Sequence, residues 1–581
     1  MKIIKLMKGL VKYIVLMLVF TLVQAFCDLY LPNLMSDIVD IGIKNNDKAY
    51  IIREMFMMLL TTVAGLVSSI IVVYSTAKFA NDYGYNIRKS LYEKVNSFSK
   101  REIDKFGAST IITRSTNNVN NITSTFSFGL RLMIFAPLMG IGAAIMGYSK
   151  APELAPVVAI SVGILMLGLI TIFMITFPKF ELVQKILDKI NGRTRETLSG
   201  LRVIKAFNKE DYFKKRFNKV NLENKNLNIF LNKILFLIHP MMILVTNVAT
   251  IIIIYISTSY LSIGEIEIGS MMAFIQYMSH VLFSFMMLLV IILNIPRIAV
   301  SFKRINELLD VKVSIENNGT IKLKELESIE FRNVYFKYEG AKNDMLKDIS
   351  FKMLKGETVG IIGSSGSGKT TIVNLLLRHI EPTSGEILIN GIDIKEYDIE
   401  SLRDIFAYTP QKTLLFKGSI RENLIFDGKY NSADVDDAMN VAAIKDFIDS
   451  SSEGYEYQVE QSAVNLSGGQ KQRMAIARAL LSGGECLIFD DSFSAVDYIT
   501  DKKIRSAISK QYKDKMILLI TQRVGTIKDS NRIIVLEEGK IDSIGNYKEL
   551  VKESEVFKEF VSSQKKEVLS WKIWKTWKNL L

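Results

Sequence analysis

Six long uncharged runs in the first 300 residues, and one glycine-rich loop set between a strand and a helix further on, predict a two-part chain. The first part is a membrane α-helical domain of six transmembrane helices with long intracellular extensions. The second is a soluble α/β domain of the P-loop type. The chain has 581 residues, enough for several domains, and 49% of them are apolar, with a mean hydropathy of +0.21. The net charge of +13 would suit a nucleic-acid partner. The apolar spans give a better account, because basic residues flanking spans face cytoplasm and anionic lipid. No nucleic-acid role is expected. Cys27 and Cys486 lie in apolar runs and the three histidines are scattered, so neither a disulfide framework nor a metal cluster is predicted.

Met1 to Lys12 is a short basic lead-in to the uncharged run from Tyr13 to Cys27. A cleaved signal segment is disfavoured, since an A-x-A-type site is absent and bulky Phe26 precedes Cys27. A retained first helix is expected instead. Spans are expected at about 13–35, 55–77, 126–149, 154–178, 234–264 and 268–296, within a membrane domain of residues 1–310. Each approaches or exceeds the roughly 20 apolar residues needed to cross a bilayer, which a buried soluble helix rarely does. The segment Lys179 to Lys233 carries 14 Lys/Arg against 6 Asp/Glu and is placed in the cytoplasm, so the short 149–154 and 264–268 links face outwards. Helical periodicity continues from the spans into both long segments. Turns are expected at Ala108–Asn121 and Phe207–Phe217, placed to dock on the soluble domain. Asp28, Asp37 and Asp40 read as solvated charges at a helix end, and His280 as a packed residue of the last span.

A linker is assigned to residues 311–328, followed by short strands at Ile329–Phe331, Val334–Tyr338, Ile349–Met353 and Thr358–Ile362. The soluble domain is placed at residues 329–564. Residues 565–581 form a basic tail that holds all three tryptophans, Trp571, Trp574 and Trp577. On a helical wheel these oppose Lys572, Lys575 and Lys578, which suits a helix lying in a membrane interface; a frayed or self-packed terminus is the alternative.

The loop runs Gly363-Ser364-Ser365-Gly366-Ser367-Gly368-Lys369-Thr370, between the strand Thr358–Ile362 and a helical pattern opening at Thr371. Glycines let backbone wrap a polyphosphate, and the helix start aims its N–H groups at the anion. Lys369 is placed to reach the β- and γ-phosphates of ATP, and the Thr370 hydroxyl to hold Mg²⁺. Further on, Leu466-Ser467-Gly468-Gly469-Gln470 opens a basic helix, Lys471-Gln472-Arg473, and is again suited to phosphate.

With that second motif the chain resembles the ATP-binding cassette (ABC) family. The resemblance implies that Leu466–Gln470 serves the nucleotide held by an opposite subunit, so that two cassettes sandwich two ATPs. Tyr338 matches the aromatic that stacks on adenine, and Gln411 matches the glutamine linked to Mg²⁺ and coupling. Asp490, ending the apolar strand Cys486–Asp490, matches the residue holding the Mg²⁺ shell, and Ser494-Ala495-Val496-Asp497 matches a loop crossing between cassettes. The six-helix layout extends the resemblance over nearly the whole chain, to a half-transporter of the multidrug-type bacterial exporters. Such a protein resides in the cytoplasmic membrane with its ATPase domain in the cytoplasm. It is embedded in lipid and exports apolar or amphipathic, drug- or lipid-like compounds. The absence of a charged cluster in the spans also favours such a substrate over an ion path.

Two positions depart from the family pattern. Asp491 stands where a glutamate usually polarises the attacking water, and Gln522 replaces a switch histidine. The shorter Asp491 carboxylate sits back from the water, and Gln522 donates a hydrogen bond without a positive charge. Glu460-Gln461-Ser462-Ala463 also departs from the usual Glu-Arg-Gly ahead of the signature. The pair resembles the degenerate half of a heterodimeric exporter. A homodimeric exporter with weak ATPase activity, or a non-transporting sensor or regulatory subunit, is the alternative.

Overall fold

The computed structural model describes residues 2–426 and 430–564. The tryptophan-rich tail, 565–581, lies outside them. The chain divides into two compact units: residues up to Asn96 with Gly107–Val311, and Ser97–Phe106 with the chain from Lys312 onward.

In the first unit, six helices among the described residues are long and apolar enough to span a bilayer: Val11–Ile43, Lys48–Asn96, Ala108–Lys150, Pro152–Ser199, Glu210–Ser262 and Ile268–Leu288. The last continues as helix to Leu309. The second has 49 residues. At 1.5 Å per residue it rises about 74 Å, against a hydrocarbon core of about 30 Å, so it continues well past the bilayer. Large apolar side chains such as Leu22, Phe26, Leu59, Leu167 and Ile251 are exposed along these helices, as lipid-facing positions require.

Both expected turns lie earlier in the chain than the sequence suggested. The first break is at residues 97–107, with Gly107 at φ 73°, and Ala108–Asn121 is helical. The polar run misled because threonine hydroxyls there bond back to the preceding turn, as Thr113 does to Ser109 O and Thr116 to Ile112 O, each at 2.8 Å. The second break spans 200–209, with Asn208 at φ 51°, and Glu210–Phe236 is continuous helix.

The spans also hold ionisable groups that the sequence reading treated as absent or solvated. Asp28 lies inside the first helix, where it hydrogen-bonds Gln24 and lies close to His280 and Arg131. Arg131, from the third helix, reaches Ser69 Oγ at 3.1 Å and Gln24 Oε1 at 3.5 Å. Asp40 accepts from Gly269 N at 2.6 Å, and Asp37 pairs with Lys150 at 3.3 Å. These carboxylates hold helices together. Contacts among four helices, invisible in a linear hydropathy reading, decide the matter.

Among the described residues the second unit contains twelve strands. They are β1 Ser328–Phe336, β2 Leu346–Leu354, β3 Thr358–Gly363, β4 Ser384–Ile389, β5 Ile392–Asp393, β6 Phe406–Thr409, β7 Gly418–Ser419, β8 Gln458–Val459, β9 Cys486–Asp490, β10 Met516–Thr521, β11 Arg532–Glu537 and β12 Lys540–Gly545. A six-stranded sheet runs β12-β11-β3-β10-β9-β6, parallel except at the β12 edge; β2-β1-β4-β5 form an antiparallel sheet. Strands β9 and β10 are buried at every position, so they read as continuous apolar runs. Alternate side chains feed opposite cores: Leu487 and Phe489 one, Cys486 and Ile488 the other. The two strand segments expected at 329–331 and 334–338 are one strand, irregular near Asn333, whose φ is 46°.

Candidate nucleotide site

Strand β3 is central in the parallel sheet, so the loop after it emerges at the sheet's carboxyl edge, where open α/β sheets bind ligands. The helix Lys369–Leu376 follows immediately, with Gly368 as its left-handed cap at φ 104°. A β-carbon on Gly368 would lie 2.5 Å from Leu346 Cδ2, so packing as well as backbone conformation requires glycine. Strand β10 pairs with β3 and β9 lies next beyond it, so Gln522, just after β10, and Asp490 and Asp491, at the end of β9, emerge at the same edge on one side of the loop.

These residues converge. A cavity of about 130 Å³ is lined by Ser365, Gly366, Gly368, Lys369, Thr370, Thr371, Gln411, Asp490, Asp491, Gln522 and Met345. Lys369 donates to Gly363 O at 2.8 Å and Ser364 O at 2.7 Å. Thr370 Oγ1 donates to Asp490 Oδ1 at 3.3 Å, and Gln411 Nε2 approaches Asp491 Oδ2 at 3.5 Å. Asp491 adopts φ 48°, and its N–H bonds Ile520 O at 2.7 Å, which pins the turn leaving β9 to β10.

The electrostatics suit an anion and a hard cation. Burial pushes the Asp490 carboxyl up to about 6, helped by Asp491 and opposed by Thr370 and Lys369. Burial also raises Asp491 and lowers Lys369. Among the described residues, Asp490 Oδ2 and Ser367 Oγ at this site are buried without a hydrogen-bond partner. A carboxylate oxygen and a threonine hydroxyl at one edge are oxygen donors of the kind Mg²⁺ takes, and the unpartnered serine belongs to the loop built to wrap phosphate. The residues present therefore fit Mg²⁺-nucleotide, with Thr370, Asp490 and Gln411 available to the metal.

The remaining expected residues lie apart from this cavity. Tyr338 is 40% exposed, and its hydroxyl is 3.2 Å from Thr371 Oγ1. In the signature, Leu466 is a buried anchor. Ser467 caps the helix Gly468–Leu481 and forms a reciprocal capping box with Gln470. Ser467 and Gly468 are exposed. Asp497 caps the helix Tyr498–Gln511, accepting from Thr500 N at 3.0 Å, and is also exposed.

Sequence reasoning missed two organising residues. Gln472 is buried, donates to Ser494 Oγ at 3.0 Å and accepts from Ala495 N at 2.8 Å, joining the signature helix to the loop before Asp497. Its place on the apolar face of the helix, with Ala475, Ile476 and Ala479, was the available signal. Arg523, next to Gln522, donates to Ser494 O at 2.7 Å and Phe493 O at 3.4 Å.

Together the fold and site define a multi-pass membrane protein with a P-loop ATPase domain in the cytoplasm. Residues 14–286 match the family model of the ABC transporter transmembrane region, and residues 346–494 match the family model described as ABC transporter. An uncharacterized ABC transporter ATP-binding protein of Mycobacterium tuberculosis is 32% identical over 560 residues, covering 95% of this chain and 96% of that protein. A Rickettsia typhi protein whose name gives it an export ATP-binding/permease role is 30% identical, over 85% of this chain and 88% of its own length. The chain belongs to the ABC transporter family, and it is a transport ATPase. Its fold is that of the ABC exporters: the structure of a bacterial Atm1-family exporter with ATP bound superposes with a TM-score of 0.81 at 22% identity, covering 96% of this chain and 98% of that one.

Proposed function

We propose that this chain is one half of a heterodimeric exporter that moves apolar or amphipathic compounds out of the cytoplasm. In this reading its P-loop and Asp490 form the slow ATP site, while its Leu466–Gln470 completes the competent site of a related partner. The observation that carries it is the pairing of Asp491 and Gln522 in one cavity with Lys369. Asp491 has one methylene fewer than glutamate, about 1.5 Å of reach, and its side chain already faces Gln411. Positioning dominates phosphoryl transfer, so a set-back carboxylate orients water poorly. Gln522 can hydrogen-bond a γ-phosphate but leaves the developing charge without a cation.

Within the pocket, Lys369 and the loop N–H groups bind and orient the phosphates, and the flat face of Tyr338 accepts the base. Mg²⁺, held by Thr370, Asp490 and Gln411, would neutralise phosphate charge. The polar cluster of Gln24, Asp28, Ser69 and Arg131 adds a hydrogen-bonding surface to spans otherwise apolar, which favours amphipathic over purely hydrocarbon substrates.

Steady-state ATP hydrolysis by the chain purified alone tests the assignment. Turnover near zero, rising when a half-transporter with Glu and His at these positions is co-purified, is expected. Turnover alone at the level of ordinary exporters selects the homodimer instead.

A further inference from the structure

The helical segment after the last strand reaches back to the turn that carries Gln522. Beyond β12 the chain forms the helix Tyr547–Glu553, and residues 555–564 are again helical. The Ser554 hydroxyl starts this second helix by accepting from Phe557 N at 3.1 Å. Phe557 and Val561 are buried in the core that also holds Phe489, Phe493, Val524 and Ile527. Steps of four and then three residues place Gln564 on the same helical face as that pair. Its carboxamide bridges the backbone around Arg523: Nε2 donates to Gln522 O at 2.6 Å, and Oε1 accepts from Val524 N at 2.9 Å.

Val524 opens the short helix Val524–Ile527, and Arg523 stands at its cap position, where a guanidinium has no acceptor to offer. Gln564 supplies that acceptor from 40 residues further along the chain. The rest of the turn is tied elsewhere. Arg523 N donates to Thr521 Oγ1 at 3.0 Å, and the Arg523 guanidinium holds Ser494 O. Gln522 itself is exposed and lines the cavity shared with Lys369, Asp490 and Asp491. A carboxamide presents a donor and an acceptor together, as this turn requires. A carboxylate of the same length would set an acceptor against Gln522 O, and asparagine is one methylene too short.

We propose that Gln564 is a positioning residue for the nucleotide site: by holding the Gln522 carbonyl and the Val524 N–H, it sets the direction in which the Gln522 side chain meets the terminal phosphate. The proposal rests on the reading of Gln522 as a γ-phosphate contact. It gives residues 555–564, which lie beyond the sheets, a part in telling a nucleoside triphosphate from a diphosphate.

Isothermal titration of the full chain in lipid nanodiscs with Mg-AMPPNP and Mg-ADP tests it, because the two probes differ at the terminal phosphoryl group. Gln564→Glu keeps the length and the acceptor for Val524 N while turning a carboxylate on Gln522 O. It should weaken Mg-AMPPNP binding about fivefold and leave Mg-ADP within about twofold. Gln564→Asn, which introduces no charge, should lose the same selectivity. Gln522→Ala should lose it too, and adding Gln564→Glu to Gln522→Ala should change nothing further, since a residue acting through Gln522 is not additive with it. A contact that merely stabilises the domain would weaken both nucleotides and add to Gln522→Ala. Either of those results would overturn the proposal, as would normal AMPPNP binding in both Gln564 variants beside a selective loss in Gln522→Ala. Equal effects of Gln522→Ala on the two nucleotides would overturn the γ-phosphate reading of Gln522, and the proposal with it.

Discussion

The ATPase unit contains two phosphate-directed surfaces built on opposite principles. The P-loop side is inward and unfinished: Lys369 is 9% and Asp490 1% exposed, and Ser367 Oγ and Asp490 Oδ2 lack partners. The signature side is outward and finished: Ser467 is exposed and bonded within its own capping box. An unfinished buried site draws a ligand to satisfy its polar groups. A finished exposed helix start offers N–H groups to something brought from outside. Neither surface alone surrounds a nucleotide, which is why a second cassette enters the reading, and why damage to the two surfaces should have unequal effects.

The largest expected effect comes from the exposed surface. Ser467→Tyr, in the chain co-purified with its partner, should cut steady-state hydrolysis by about 10²–10⁴-fold, the range for removing a well-placed catalytic group. Asp491→Asn should change turnover within about threefold, since the site it serves contributes little. Equal losses in the two variants would mean that both sites turn over and that the assignment of roles fails. Asp491→Glu with Gln522→His sharpens the comparison from the other side: hydrolysis should rise, limited by the partner's signature.

The P-loop pocket was legible because its chemistry is local: eight successive residues between a strand and a helix carry most of it. The apolar strands were legible too, because burial on both faces leaves a continuous hydrophobic run. Long-range effects were not. The cytoplasmic break at 97–107 was placed too late because helix-compatible Thr and Asn residues imitate a turn, whereas the true one is marked by Ser99 and Glu102, spaced and bonded as a helix start, and by Gly107. Asp28 was read as solvated because the charged groups near it, Arg131 and His280, come from other helices. Gln472 was read only as part of a basic helix, although its side chain points inward to Ser494 and Ala495.

A smaller effect tests whether the inward surface is shaped before ligand arrives. Gly368→Ala places a β-carbon 2.5 Å from Leu346 Cδ2 and 3.3 Å from Met345 O, at φ 104°. Leu346 is fully buried and cannot swing aside. Strain of this kind costs about 1–3 kcal/mol, enough to lower the thermal midpoint of the ATPase unit by several degrees and to weaken ATP binding. An unchanged midpoint with normal binding would show that the loop takes its shape only around nucleotide. Ser467→Ala, on the exposed surface, should cost about 1 kcal/mol through the lost cap and leave ATP binding by this chain's own P-loop intact.

The smallest expected effect lies behind the P-loop helix, at His379. Burial, with Arg403 and Lys100 nearby, lowers its pKa from 6.5 to about 4. The folded domain thus keeps His379 neutral over a range in which the unfolded chain binds a proton. Between about pH 6.5 and 4 the unfolded state holds more protons, so stability rises with pH there. The contribution is fully present above 6.5, declines as pH falls through the window, and is lost once the folded state also protonates near 4. His379→Gln keeps a neutral, hydrogen-bonding side chain and removes the titration. The thermal midpoint of the wild-type ATPase unit should fall from pH 7 to pH 5, and that of His379→Gln should fall less. Since Lys100 is one of the charges opposing protonation, Lys100→Gln should also flatten the wild-type slope, though less than the histidine substitution does. Parallel slopes in all three proteins would place the acid sensitivity elsewhere in the domain and would remove His379 from the charge balance beneath the nucleotide pocket.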